Sequence, residues 1–134
     1  MIVPIIANKK IREVVIAGLL FAVAVVIYFW GPLVQGRVLV TTGLIRSDLM
    51  GQSYPAKVFY SRALKKGYVP LWTKDVGAGF PIAAESQLGA FYPPNFLIFS
   101  LLPMPFAFNF SLAFHIFLAA FFTYLLVRNI YELS

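Results

Sequence analysis

Two long runs of apolar residues bracket a central stretch in which polar, glycine, proline and aromatic positions alternate. The first run, Val14 to Leu33, carries no charge over about 20 residues. At about 1.5 Å of helical rise per residue that spans the roughly 30 Å hydrocarbon core of a bilayer. Tyr28, Phe29 and Trp30 near its end form an interfacial aromatic belt, and Gly31-Pro32 is expected to end the helix. The second run, Phe106 to Val127, predicts another membrane helix, closed by Arg128. Phe96 to Leu102 is too short to span and is broken by Pro103-Met104-Pro105, so 96–105 reads as an interfacial segment.

Between the runs, Gln35 to Ile45 is β-branched and reads as a connector with a small strand near Val38 to Thr42. A helix is expected from Asp48 to Lys66, with Ser47 as N-cap and Gly67 at the C-terminal cap. Leu49, Ala56, Phe59, Tyr60 and Ala63 give it an apolar side, interrupted by Lys57, Ser61, Arg62 and Lys65, as in a membrane-surface helix. Pro55 should kink or split it. From Tyr68 to Tyr92 the glycines and prolines predict a loop, with a short helix from Ile82 to Leu88. The fold class is therefore an all-α membrane protein: two transmembrane helices joined by a loop of short amphipathic helices. The segments are a head (1–13), a first membrane helix (14–33), a loop (34–95), the interfacial segment (96–105), a second membrane helix (106–127) and a tail (128–134).

Composition sharpens this picture. Of 134 residues, 60% are hydrophobic and 12% charged, where a soluble domain is nearer half and a quarter. With no cysteine there is no disulfide, thiolate metal site or thiol nucleophile. The basic head is followed by too long a run, without a small-x-small site after Trp30, for a cleaved signal peptide; an uncleaved anchor is expected. The formal net charge of +6 falls on residues scattered among apolar runs, which points to lipid headgroups or a phosphorylated lipid rather than nucleic acid. Lys9, Lys10 and Arg12 before the first run and Arg128 after the second place both termini in the cytoplasm and the loop outside, although the loop is itself basic.

Chemistry concentrates in the loop. Asp48, at the membrane-proximal helix start, could act as a general base or hold a divalent metal, with Gln52 one turn on; equally, it could only complement the helix dipole. Asp75 and Glu85 are further carboxylates, with turn and solvated-helix roles as the plain alternatives. Arg46, Lys57, Arg62, Lys65 and Lys66 could clamp a phosphate or attract anionic headgroups. Trp72 and Phe91-Tyr92 could face a sugar or lipid, or anchor at the interface. His115, inside the second run, fits a hydrogen-bonded helix contact better than an ion path.

The order of these elements resembles the N-terminal part of the YfhO-like bacterial membrane proteins, related to the type C glycosyltransferases. The residues are Asp48, Gln52, Tyr54 and Pro55; Gly67, Pro70, Leu71 and Trp72; Gly79, Pro81 and Gln87; Phe91 to Asn95; Leu101 to Pro103; and His115, Leu118, Ala119 and Tyr124. The resemblance implies transfer of a sugar from a polyprenyl-phosphate donor at the outer membrane face. Asp48 would be the base or metal ligand, with Arg46, Gln52, Arg62, Lys65, Trp72, Gln87, Tyr92 and Asn95 contacting substrate. Members of that family are several times longer. The chain is therefore expected to be a fragment of a larger fold, inactive alone and partnered by the missing helices. The alternative is a small non-enzymatic membrane subunit binding lipid or a larger partner.

Overall fold

In the computed structural model the described residues are 3–38 and 48–131, with side chains described from residue 10 onward. All regular elements among them are helical: α1 (Val3–Tyr28), α2 (Trp30–Val34), α3 (Tyr54–Lys65), α4 (Pro93–Leu101) and α5 (Phe106–Ile130). A π-turn, Leu49–Ser53, precedes α3, and a 3-10 turn, Ile82–Ala84, sits in the long loop. The Ser47 cap, Arg46 and all but the first residue of the expected strand at 38–42 lie outside the described residues.

The chain divides into two units. The first joins Met1–Gly31 to Leu112–Ser134, and the second is Pro32–Ser111. In the first, α1 and α5 supply two helices long and apolar enough to cross a membrane, over Lys10–Tyr28 and Phe106–Ile130. The contact between them is close because Gly18 has no side chain: a Cβ there would stand 3.2 Å from the Phe121 ring. Phe21 meets Tyr124 edge-on at 6.0 Å, and the Phe117 and Phe121 rings stack at 5.7 Å. An Arg128–Glu13 ion pair of 2.7 Å ties one end of the helix pair, with Arg128 also donating to the Tyr124 hydroxyl at 2.8 Å. Arg128 thus does not close α5; it lies in its last turn, where a cation suits the helix dipole. Nor does Gly31-Pro32 end α1. The break falls at Phe29, whose amide still reaches the Val25 carbonyl at 2.9 Å, and Pro32 sits in the first turn of α2, where no intrahelical N–H is required.

In the second unit α3 packs against α4. Pro55 explains the π-turn: lacking an N–H for the Gly51 carbonyl, and with a ring that would strike it, the proline is preceded by a widened turn in which the Tyr54 amide reaches Leu49. The helix starts cleanly beyond it. At the other end Gly67, with φ of +85°, lets its own amide reach Leu64 at 2.9 Å and that of Tyr68 reach Ala63 at 3.2 Å, which stops α3 where the glycine predicts. Pro93-Pro94 opens α4, where missing N–H groups cost nothing.

This packing changes the reading of the polar positions that interrupt α3's apolar side. Lys57 and Ser61, which interrupt its apolar pattern, are buried with Tyr60, Ala63 and Leu64. They go inside because each finds a carbonyl. Lys57 Nζ donates to Leu88, Ser61 Oγ to Phe99 at 2.8 Å and the Tyr60 hydroxyl to Ala90 at 2.6 Å. The short helix expected over Ile82 to Leu88 shrinks to its first turn. Glu85 is extended, with ψ of 113°, and its carboxylate accepts from the Gln87 amide at 3.2 Å, which draws the chain out of the helix.

Candidate functional site

The loop from Thr73 to Glu85 folds against the π-turn and one side of α3, leaving a groove of about 840 Å³. A single antiparallel bridge fixes the loop: Thr73 and Phe80 exchange N–H···O bonds of 2.8 Å each. Thr73 Oγ1 also accepts the Asp75 amide at 3.2 Å, which turns the chain. Gly79 passes beneath the Trp72 indole. It has φ of +119°, and a Cβ there would lie 2.5 Å from Trp72 Cζ2, so only glycine fits.

The groove's apolar lining comes from Tyr54, Val58, Phe59, Val76, Phe80 and Ile82. Its polar side chains are Gln52, Arg62, Asp75 and Glu85, with Thr73 at the bridge. An amide, a guanidinium and two carboxylates over an aromatic floor can accept and donate hydrogen bonds to a hydroxyl-rich ligand while an apolar portion lies on the floor. Gln52 and Arg62 reach the groove because the π-turn and α3 run on as one helical stretch. Asp75 and Glu85, which the sequence offers equally as turn and solvated residues, flank it across the loop. Nothing in the local pattern around Val76 or Phe80 announces that role, since they arrive only through the bridge.

The other expected site residues are dispersed. Asp48 is exposed one turn before Gln52 and is not part of the groove lining. Arg46 lies outside the described residues. Exposed Lys65 donates to the Leu102 carbonyl at 3.0 Å instead of joining Arg62. Trp72 is exposed at the edge of the bridged loop, covering Gly79. Gln87 is exposed beyond Glu85, and exposed Tyr92 caps the start of α4. Asn95 is buried: its amide nitrogen donates to the Leu88 and Gly89 carbonyls, both at 3.2 Å, and holds the turn before α4.

Electrostatics divide the cations further. Burial lowers the Lys57 pKa to about 8. Its ammonium, 4.9 Å from the centre of the Phe99 ring, belongs to the α3–α4 packing and not to a phosphate clamp. Burial pushes the Tyr60 hydroxyl in the direction that keeps it protonated. Among the described residues no group of three or more His, Cys, Asp or Glu side chains gathers where it could hold a metal ion. His115 rests edge-on against Phe114 with centroids 5.5 Å apart.

Comparison of the chain with protein-family models, with curated proteins and with solved structures finds no match.

Proposed function

We propose that Pro32–Ser111 is the outer-loop unit of a membrane glycosyltransferase-like protein that takes a sugar from a polyprenyl-phosphate donor. The observation that carries this reading is the groove. It joins an aromatic floor to Gln52, Arg62, Asp75 and Glu85, in a unit whose chain enters from one long apolar helix and leaves into another. A lipid-linked sugar has that same division of apolar and hydroxyl-rich parts. In this reading the unit faces the outside of the plasma membrane and both termini face the cytoplasm, following the basic residues that flank the spans.

Asp48 acts as general base, removing the acceptor hydroxyl's proton as its oxygen attacks the anomeric carbon. The bond from that carbon to the phosphate oxygen breaks, and the lipid phosphate departs with its electron pair. Arg62 offsets the charge that develops. The transfer as written requires no divalent metal. Further membrane helices, packed on α1 and α5, complete the enzyme.

The test is capture of a photoreactive polyprenyl-phosphate sugar by the protein in lipid nanodiscs. Labelled peptides should fall within 52–62 or 73–85, and excess plain donor should compete. In membranes that also hold the further helices, supplied with acceptor, Asp48→Asn should retain labelling and lose transfer. Labelling that is absent, or that plain donor does not displace, refutes the reading. A second reading, a non-enzymatic subunit for a larger membrane partner, is favoured by one observation: none of the most apolar window of α1, and 6% of that of α5, is buried within the chain. It predicts no donor capture and stable co-purification with a membrane protein.

A further inference from the structure

The pair of α1 and α5 carries a groove of about 920 Å³, lined entirely within the first unit. Its polar groups, Glu13, Thr123, Tyr124 and Arg128, lie toward the end where the Arg128–Glu13 ion pair stands. Beyond them the lining is apolar, from Phe21, Ile116, Ala119 and Ala120, and the two alanines leave the room. Charge at one end and hydrocarbon along the rest is the polarity profile of one lipid molecule.

Length decides between a lipid and a crossing helix. From Ile116 to Arg128 the groove follows α5 for about 18 Å, and from Glu13 to Phe21 it follows α1 for about 12 Å, by helical rise. One leaflet supplies half of the roughly 30 Å hydrocarbon core, or about 15 Å. The groove is therefore one leaflet deep, and a helix that crosses the bilayer is twice as long. Further helices have other faces to pack on: Leu19 and Val23 of α1 and Phe122 and Leu126 of α5 are exposed and outside the groove.

Charge chooses the headgroup. The Arg128 side chain is 11% exposed and that of Glu13 36%, so the open member of the pair is the carboxylate. Arg128 takes one of its oxygens at 2.7 Å, and the other has no partner among the described residues. A carboxylate only accepts hydrogen bonds, so this oxygen calls for a cationic donor. The guanidinium has five N–H groups and spends two, on Glu13 and Tyr124, which leaves donors for a phosphate. Exposed Lys10 and Arg12 mark this end as the headgroup level. A primary ammonium beside a phosphate meets both needs. A choline headgroup has no N–H to give, and a glycerol headgroup brings no positive charge.

We infer that this groove holds a single phospholipid whose headgroup bears a primary ammonium. The ammonium sits on the Glu13 carboxylate, the phosphate on Arg128, and one acyl chain lies along Phe21, Ala120, Ala119 and Ile116. The ion pair then selects a lipid as well as tying two helices together. The site rests on the two apolar spans alone and not on the sugar-transfer reading.

The full chain is placed, one copy per disc, in phosphatidylcholine nanodiscs with a trace of phosphatidylethanolamine that carries a diazirine near the end of one acyl chain. After illumination, labelled peptides should fall within 116–127. Plain phosphatidylethanolamine should displace the probe at about tenfold lower mole fraction than phosphatidylglycerol or added phosphatidylcholine, as expected for a hydrogen bond to a charged group. Glu13→Gln should make the three lipids compete equally. Because that change also breaks the ion pair, Ala119→Trp is the second variant: it fills the groove, leaves Glu13 and Arg128 in place and should abolish labelling of 116–127. Equal competition by the three lipids in the native chain, or stronger competition by phosphatidylglycerol, overturns the inference. So does labelling that Ala119→Trp leaves unchanged, or a groove that no lipid labels, which would mean that a protein segment covers it. No sugar donor is present, so the outcome is independent of the donor-capture test.

Discussion

Lys57→Met probes the packing on which both the groove and α4 depend. The ammonium is buried on α3, donates to the Leu88 carbonyl and faces the Phe99 ring. Burial brings its pKa from 10.5 down to about 8, so the folded unit disfavours the charged form. Below the folded value both states hold the proton, and the folded state bears the whole desolvation cost. As pH rises through the folded value the native lysine releases its proton and the cost fades. Above the unfolded value both states are neutral and nothing further changes. Between about pH 7.5 and pH 9.5 these two values give a gain in stability of about 1–2 kcal/mol, the lower end allowing for screening by nearby water. In a domain of this size each 1 kcal/mol moves the thermal midpoint by about 4–8 °C. The window stops short of tyrosine ionisation, because the raised Tyr60 pKa acts in the opposite sense, its stabilisation being lost as pH climbs beyond the ordinary tyrosine value. Methionine removes the titration and keeps the bulk, and the Leu88 carbonyl still has the Asn95 amide at 3.2 Å. Thermal unfolding in detergent micelles, followed by tryptophan fluorescence at matched ionic strength, should show the wild-type midpoint rising by several degrees across the window while Lys57→Met stays flat. Parallel profiles, or a wild-type midpoint that falls, would show that Lys57 is not a buried cation.

Two further substitutions test neighbouring parts of the unit. Tyr60→Phe removes the only polar atom of that side chain and leaves the Ala90 carbonyl without its 2.6 Å donor, so the unit should lose about 1–3 kcal/mol, read as a lower midpoint in the same assay at neutral pH. Gly79→Ala forces a Cβ into the Trp72 ring and into a φ that side chains avoid; it should displace the indole, shift its emission and cost more than about 1 kcal/mol, whereas an unchanged spectrum and midpoint would refute the close approach.

The local signals that proved legible are those that act without tertiary help. Two uncharged runs of sufficient length become α1 and α5, because a helix satisfies its own backbone whatever surrounds it. Pro93-Pro94 opens α4 and Gly67 closes α3, because a missing N–H or a positive φ is a property of one residue. Pro55 announced a disturbance, and its form, a π-turn in place of a kink, follows from its ring and its missing donor.

The candidate site was half legible for the opposite reason. Gln52 and Arg62 stand out as polar residues on an amphipathic stretch, but Asp75, Glu85, Val76 and Phe80 join them only through the bridge between Thr73 and Phe80. The basic character of Lys57 suggests a phosphate clamp, and the family resemblance places Asn95 against substrate. Tertiary structure sends both inside, where the Leu88 carbonyl, some thirty positions from Lys57, gives each a partner that no local pattern encodes. The sequence by itself thus determined where the chain is apolar enough for lipid, where α3 stops and where α4 starts. Only the packing of α3 against α4 and the folded loop decided which polar groups are buried as struts and which are left to meet a ligand, because that choice turns on hydrogen-bond partners distant in the chain.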